Sequence, residues 1–206
     1  MTQHSKVVSL KSSLLRDHPE INVNWINEYQ WTPLHNASGC DHAEVVKLLL
    51  AHPDIDVNLR TDDGDTSFSL GCYRDYMSVV EVLLKDPRVD VTLDDDKGRT
   101  PLWFASRDGQ HELIEWLIAS GRDLGDIENK TGKNWDDEGW KDYTALEIAR
   151  EKNKTEVISL LERFLANPAQ TRHELRVKLS FRFFVLRPFV HPSIPKRSLV
   201  CGRNIA

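Results

Sequence analysis

The residues able to do chemistry are scattered along the chain. Gly132-Lys133-Asn134 carries the Gly-Lys pair of a phosphate-binding loop. Such a loop also needs a Gly five positions earlier, so that backbone amides can cradle the phosphate, and a Ser or Thr after the Lys for magnesium. Ile127 and Asn134 stand at those places. The runs Asp62-Asp63-Gly64-Asp65 and Asp94-Asp95-Asp96 lack the ligand spacing and closing Glu of an EF-hand, so both read as solvated loop tips. The eight His form no i, i+4 pair with a third ligand. Cys40, Cys72 and Cys201 are odd in number, without metal-type spacing, and read as reduced thiols. Asn36, Asn129 and Asn153 head glycosylation triplets that a cytosolic chain would leave unmodified. A converging nucleophile, base and orienter is missing, so the expectation is no catalysis, no metal and no cofactor.

What must then be explained is a scaffold. With 40% apolar and 29% charged residues the composition is ordinary for a soluble globular protein. Residues 1–17 hold no apolar run of secretory length, and no segment has the apolar length of a membrane span. The expected location is the cytoplasm, with the nucleus as the other compartment. The net charge of −5 hides an asymmetry: residues 171–206 hold eight Lys or Arg against Glu174 alone, whereas residues 1–170 hold 19 basic and 31 acidic groups. The body is acidic and the tail basic.

The organising stretch is Thr32–Asn58. Thr32 can cap a helix and Pro33 suits its first position, where a missing N–H costs nothing. The pattern predicts a first helix from Pro33 to about Cys40, broken at Asp41. A second helix runs from about Ala43 to Ala51, stopped by His52-Pro53. Aligning Thr32 with Thr66, Thr100 and Thr144 gives two steps of 34 residues and one of 44, a step of 34 with ten inserted. Core positions recur: Val45, Val79, Leu113 and Val157; Val46, Val80, Ile114 and Ile158; Leu49, Leu83, Leu117 and Leu161. Nine residues after each Thr stand Asp41, Asp75, Gly109 and Asn153, types that accept positive φ. A period in this range means stacked helical hairpins that cannot bury their apolar faces alone.

Here the chain resembles the ankyrin-repeat family. Thr32-Pro33-Leu34-His35-Asn36-Ala37 matches the signature T-P-L-H-x-A at every fixed position. Thr100-Pro101-Leu102-Trp103-Phe104-Ala105 lacks only the His, Thr144-Ala145-Leu146-Glu147-Ile148-Ala149 keeps Thr, Leu and Ala, and Thr66-Ser67-Phe68-Ser69-Leu70-Gly71 keeps only Thr. The resemblance covers about residues 5–165. It implies an all-α solenoid with hairpin-like loop tips, in which His35 makes local hydrogen bonds.

The expected organisation is a capping half-repeat over 5–24, repeats over 25–58, 59–92 and 93–128, an insertion loop over 129–139, and a fourth, closing repeat over 140–166. In the half-repeat, Val7, Val8, Leu10, Leu14 and Leu15 form an apolar stripe, and residues 18–24 parallel 52–58. The second repeat reads as the poorest, with Gly71 where others have Ala. Residues 167–206 read as a basic, poorly ordered tail. Within it 169–180 could add a short helical or extended segment, and 181–206 a disordered arm or a read-through extension.

Partners of ankyrin proteins usually lie on the concave face made by loop tips and first-helix ends. Carried over by position, the resemblance implies Glu28, Tyr29 and Trp31, with Cys40 behind them, then Asp62, Asp63, Asp65, Tyr73 and Arg74. The third unit gives Asp96, Lys97, Arg99, Arg107 and Asp108, and the fourth Trp140, Lys141, Tyr143, Glu151 and Lys152. Trp135 would be an anchor or a local plug. Tyr, Trp and Arg are the usual hot-spot types. Asp62, Asp63, Asp65, Asp94, Asp95, Asp96, Asp136, Asp137 and Glu138 would make the tips acidic and steer a protein with a basic patch, while excluding duplex nucleic acid. The expected function is a non-catalytic interaction module. The alternative is a basic aromatic tail that binds anionic lipid or RNA, displayed by the repeats.

Overall fold

The computed structural model describes residues 21–136 and 139–184, with the side chains of 136 and 181–184 outside the description. The helices come in pairs. The first helices are α1 (Pro33–Gly39), α3 (Ser67–Tyr73), α5 (Pro101–Asp108) and α7 (Ala145–Glu151). Each is followed by a second helix: α2 (Ala43–Leu50), α4 (Met77–Leu84), α6 (His111–Ser120) and α8 (Thr155–Ala166). First helices stack on first helices and second on second, giving two layers with the core between them.

The local chemistry repeats with the period. Thr32, Thr66, Thr100 and Thr144 each accept from the N–H three residues on, through side-chain oxygens at 3.1–3.2 Å. Asp41, Asp75, Gly109 and Asn153 all turn the chain at positive φ (57°, 57°, 81° and 55°). Gly71 has a packing reason. A Cβ there would sit 3.3 Å from both Val79 and Val80, so the Gly lets α4 close onto α3.

Neighbouring units are joined outside the core. Asn24 donates to the Asp54 carbonyl (2.7 Å) and accepts from the Asp56 N–H (2.9 Å). Asn58, one period later, does the same with Arg88 (2.9 Å) and Asp90 (2.8 Å). Arginines reach the open carbonyls at the ends of second helices and the turns beyond, groups that helix geometry leaves unsatisfied. Arg88 meets Leu50 (2.8 Å), Arg122 meets Asp86 (3.2 Å) and Arg176 meets Ala119 (2.8 Å).

Two expectations are corrected. The insertion is a β-hairpin, β1 (Gly132–Asp136) paired antiparallel with β2 (Gly139–Tyr143), in register Gly132 to Tyr143 and Trp135 to Trp140. Alternating Lys133, Trp135 and Trp140, Asp142 populate one face of the ribbon, a period-2 signal in a stretch read as loop. The tail is not poorly ordered throughout: α9 (Pro168–Phe184) packs on α6 and α8. Asn167-Pro168, which resembles a stop, is a start: Asn167 accepts from the Gln170 N–H (3.1 Å) and Pro168 opens the helix. Thr171, Leu175 and Leu179, four apart, are buried, and Lys178 meets the buried Glu115 carboxylate at 2.6 Å. Residues 5–20 of the half-repeat and 185–206 of the tail lie outside the described residues.

Candidate protein-binding face

The loop tips are tied into a ladder. The Asp62 N–H donates to the Tyr29 carbonyl (3.3 Å), Asp96 to Asp63 (3.1 Å) and Lys133 to Lys97 (2.9 Å). The fourth tip is thus the β-hairpin, which extends the row. In the first three tips the residue two before the Thr turns at positive φ, Gln30 (56°), Gly64 (82°) and Gly98 (75°), whereas the corresponding Asp142 lies in β2. Gly132 is held close: a Cβ there would lie 2.9 Å from the Arg99 Cα and 3.1 Å from the Trp103 Nε1.

Behind the tips sits an aromatic and cationic block. Trp103 and Phe104 pack edge to face at 5.7 Å, and Tyr73 lies 5.3 Å from Phe104. The Arg99 guanidinium covers Phe104 at 4.8 Å, and that of Arg107 lies 5.4 Å from Tyr73. Arg107 is bidentate on Asp108 (both 2.7 Å), which holds its proton more firmly than usual. On the hairpin, Trp135 and Trp140 meet edge to face at 5.4 Å, 64% and 54% exposed, with the Lys97 ammonium 5.3 Å above Trp140.

Of the residues inferred from position, Glu28, Tyr29, Asp62, Asp63, Tyr73, Arg74, Asp96, Lys97, Asp108, Trp140 and Lys141 are exposed, as are Cys40, Glu151 and Lys152. Others face inward. Asp65 is half-buried and accepts from the Ser69 hydroxyl (3.2 Å); burial, then the nearby Asp95 charge, pushes its pKa up. Arg99 is a brace, paired with Asp95 at 2.5 Å and largely covered. Trp31 is half-buried along α1, 3.3 Å from where a Gly39 Cβ would be, and Tyr143 packs on the Trp103–Phe104 cluster. Trp135 is no plug, since most of it is open to solvent.

The expected acidity of the third tip is also corrected. Asp95 is 3% exposed and accepts from the N–H groups of Lys97 (2.9 Å) and Arg99 (2.8 Å). Asp94 pairs with Lys130 at 2.6 Å and Asp96 with Arg60 at 3.4 Å. A run of three Asp therefore serves three different local purposes. Sequence reasoning missed Trp25 and Ile26, both exposed; their alignment seven and six residues before Thr32 was the available signal.

Two family models match the chain: ankyrin repeats (many copies) over residues 14–70, and ankyrin repeats (3 copies) over residues 68–171. The chain belongs to the ankyrin-repeat family. Proteins of this family generally act as protein–protein interaction modules and are typically not catalysts. No curated protein matches the chain. Among the described residues, no helix is long and apolar enough to cross a membrane, and no three His, Cys, Asp or Glu group as a metal set would.

Proposed function

We propose that this protein is a non-catalytic adaptor that holds another protein across the tip ladder and the exposed first-helix ends. The observation that carries this reading is a set of aromatic side chains, each about half exposed or more: Tyr29, Trp135 and Trp140 on the hydrogen-bonded tips, and Tyr73 at the first-helix end behind them. Such side chains supply large contact area at low conformational cost, as binding hot spots do. Glu28, Asp62 and Asp63 give a basic segment of the partner a place at the N-terminal tips. The hairpin tryptophans give it an apolar anchor at the other end.

The test is affinity capture with the full chain beside a Tyr29→Ala, Tyr73→Ala, Trp140→Ala variant whose unfolding midpoint matches. The wild type is expected to retain a protein that the variant loses, with retention weakening as salt is raised. Equal retention by both would remove the proposal.

A further inference from the structure

The helix α9 lies in a groove that the repeat builds more than once. It packs along α6 and α8, where its Leu175 and Leu179 are buried and Lys178 meets Glu115 at 2.6 Å. The Thr171 hydroxyl donates to the Arg163 carbonyl (3.1 Å), and Arg172 covers Phe164 at 5.3 Å. Two units earlier, Lys47 stands where Glu115 does, and Lys85 and Asp86 stand where Arg163 and Phe164 do. Those three residues line an open groove of about 550 Å³ between α2 and α4, with Leu50, Val82 and Pro87 as its apolar floor. Val82 is half-buried there, whereas its counterparts Trp116 and Leu160, on the helices that α9 packs against, are 4% and 2% exposed. The same surface thus occurs twice, once with a helix in it and once open.

What differs between the two grooves is charge. Lys47 and Lys85 pair with Glu44 (2.5 Å) and Glu81 (2.6 Å) on their own helices, outside the groove lining, and the lysine side chains are 52% and 45% exposed. Exposed pairs of this kind contribute only about 0–1 kcal/mol, so either ammonium can turn to a better-placed acceptor. Asp86 and Arg88 neutralise each other at 2.6 Å, and Arg88 also holds the Leu50 carbonyl. The charge that a ligand meets in this groove is therefore positive. We propose that the groove binds an acidic amphipathic helix of another protein, seated as α9 is, with apolar residues four apart over Leu50 and Val82 and a carboxylate at Lys47. The sign argues against the chain's own C-terminal segment, since residues 185–206 carry Arg187, Lys196, Arg197 and Arg203 and no acid. It also opposes α9 of a second copy, whose Lys178 would face Lys47. The groove shares no residue with the tips, so this surface is separate from the one proposed above.

Two labelled synthetic peptides titrated into the full chain test this: one with the sequence Pro168–Phe184, and one with that sequence carrying Lys178→Glu. The Lys178→Glu peptide is expected to bind at least about tenfold more tightly than the unchanged one. Lys47→Glu in the protein should reverse that order, and Val82→Asp should abolish binding of both, in variants whose unfolding midpoints match the wild type. The Tyr29→Ala, Tyr73→Ala, Trp140→Ala variant should bind the Lys178→Glu peptide as the wild type does, which separates this groove from the tips. Equal affinity of the two peptides, binding of neither, or an order unchanged by Lys47→Glu would overturn the proposal. Sedimentation showing a dimer that Val82→Asp dissociates would assign the groove to a second copy and overturn it equally.

Discussion

Trp103 donates its indole N–H to the Tyr143 carbonyl at 2.9 Å, tying the third unit to the residue that precedes the fourth Thr cap. His35, at the same position of the first unit, reaches the Leu59 carbonyl at 2.9 Å through Nε2, while its Nδ1 accepts from the Thr32 N–H at 3.0 Å. One position therefore supplies the link to the next unit with two different rings. The indole is the longer one, and it meets a loop lengthened into a hairpin. Trp103→Phe keeps most of the buried volume but leaves that carbonyl without its donor. It should cost about 1–3 kcal/mol in urea unfolding and speed amide exchange in Gly132–Tyr143.

The Asp95 carboxylate gathers two backbone N–H groups and the Arg99 guanidinium inside the third tip. Asp95→Asn leaves a largely covered cation without its counter-charge and should cost about 3 kcal/mol. Adding Arg99→Met removes the stranded charge, so the double variant is expected to be less destabilised than the sum of the two single changes. Additive losses in denaturant titrations would show that the pair is uncoupled.

His35 is fully buried, and that burial, opposed by its bond to the Leu59 carbonyl, lowers its pKa from the usual 6.5. The folded protein refuses a proton that the unfolded chain accepts below about pH 6.5, so the unfolded state is favoured as pH falls. Stability from this group is complete above that pH and shrinks as the solution is acidified toward the folded pKa. The wild type should lose stability between pH 7.5 and 5.5 with a slope that His35→Gln reduces.

Asp75 turns the chain between α3 and α4 at φ 57°, and its pKa is raised by burial, then by the Glu112 and Asp108 charges. Asparagine tolerates the same left-handed turn and carries no charge. Asp75→Asn should therefore raise stability by about 0.3 kcal/mol near neutral pH, with the gain shrinking in high salt. A thermal melt at two ionic strengths reads both effects.

The repeat architecture was legible because each of its parts follows from local chemistry. The Thr caps, the positive-φ residues Asp41, Asp75, Gly109 and Asn153, and the Val and Leu rows all act within a few residues of themselves. What escaped were roles set by distant partners. Asp94 meets Lys130, 36 positions on, and Asp95 is enclosed by its own tip, though the two look alike in sequence. Lys178 and Arg176 hold α9 to Glu115 and Ala119, and a basic stretch read as a tail becomes a helix because those acceptors wait for it. The exposed aromatics were legible in type, but only the hairpin register shows that Trp135 and Trp140 act as a pair.

The third junction departs from the first two, and the departure can be reversed. Asn24 and Asn58 bond the carbonyl 30 residues on and the N–H 32 residues on; the next member of the series is Thr92, whose hydroxyl instead turns to Asp90 at 2.7 Å. Thr92 lines a cavity of about 210 Å³ with Leu102, Leu124, Ile127 and Ala145, between the third and fourth units. In Thr92→Asn the side chain would point at the Arg122 carbonyl and the Leu124 N–H. The variant should gain about 1 kcal/mol from bonds that replace a loosely filled space. Urea unfolding measures the gain, and a thermal midpoint unchanged or lowered by the substitution would show that the inserted residues have moved those two backbone groups out of an Asn side chain's reach.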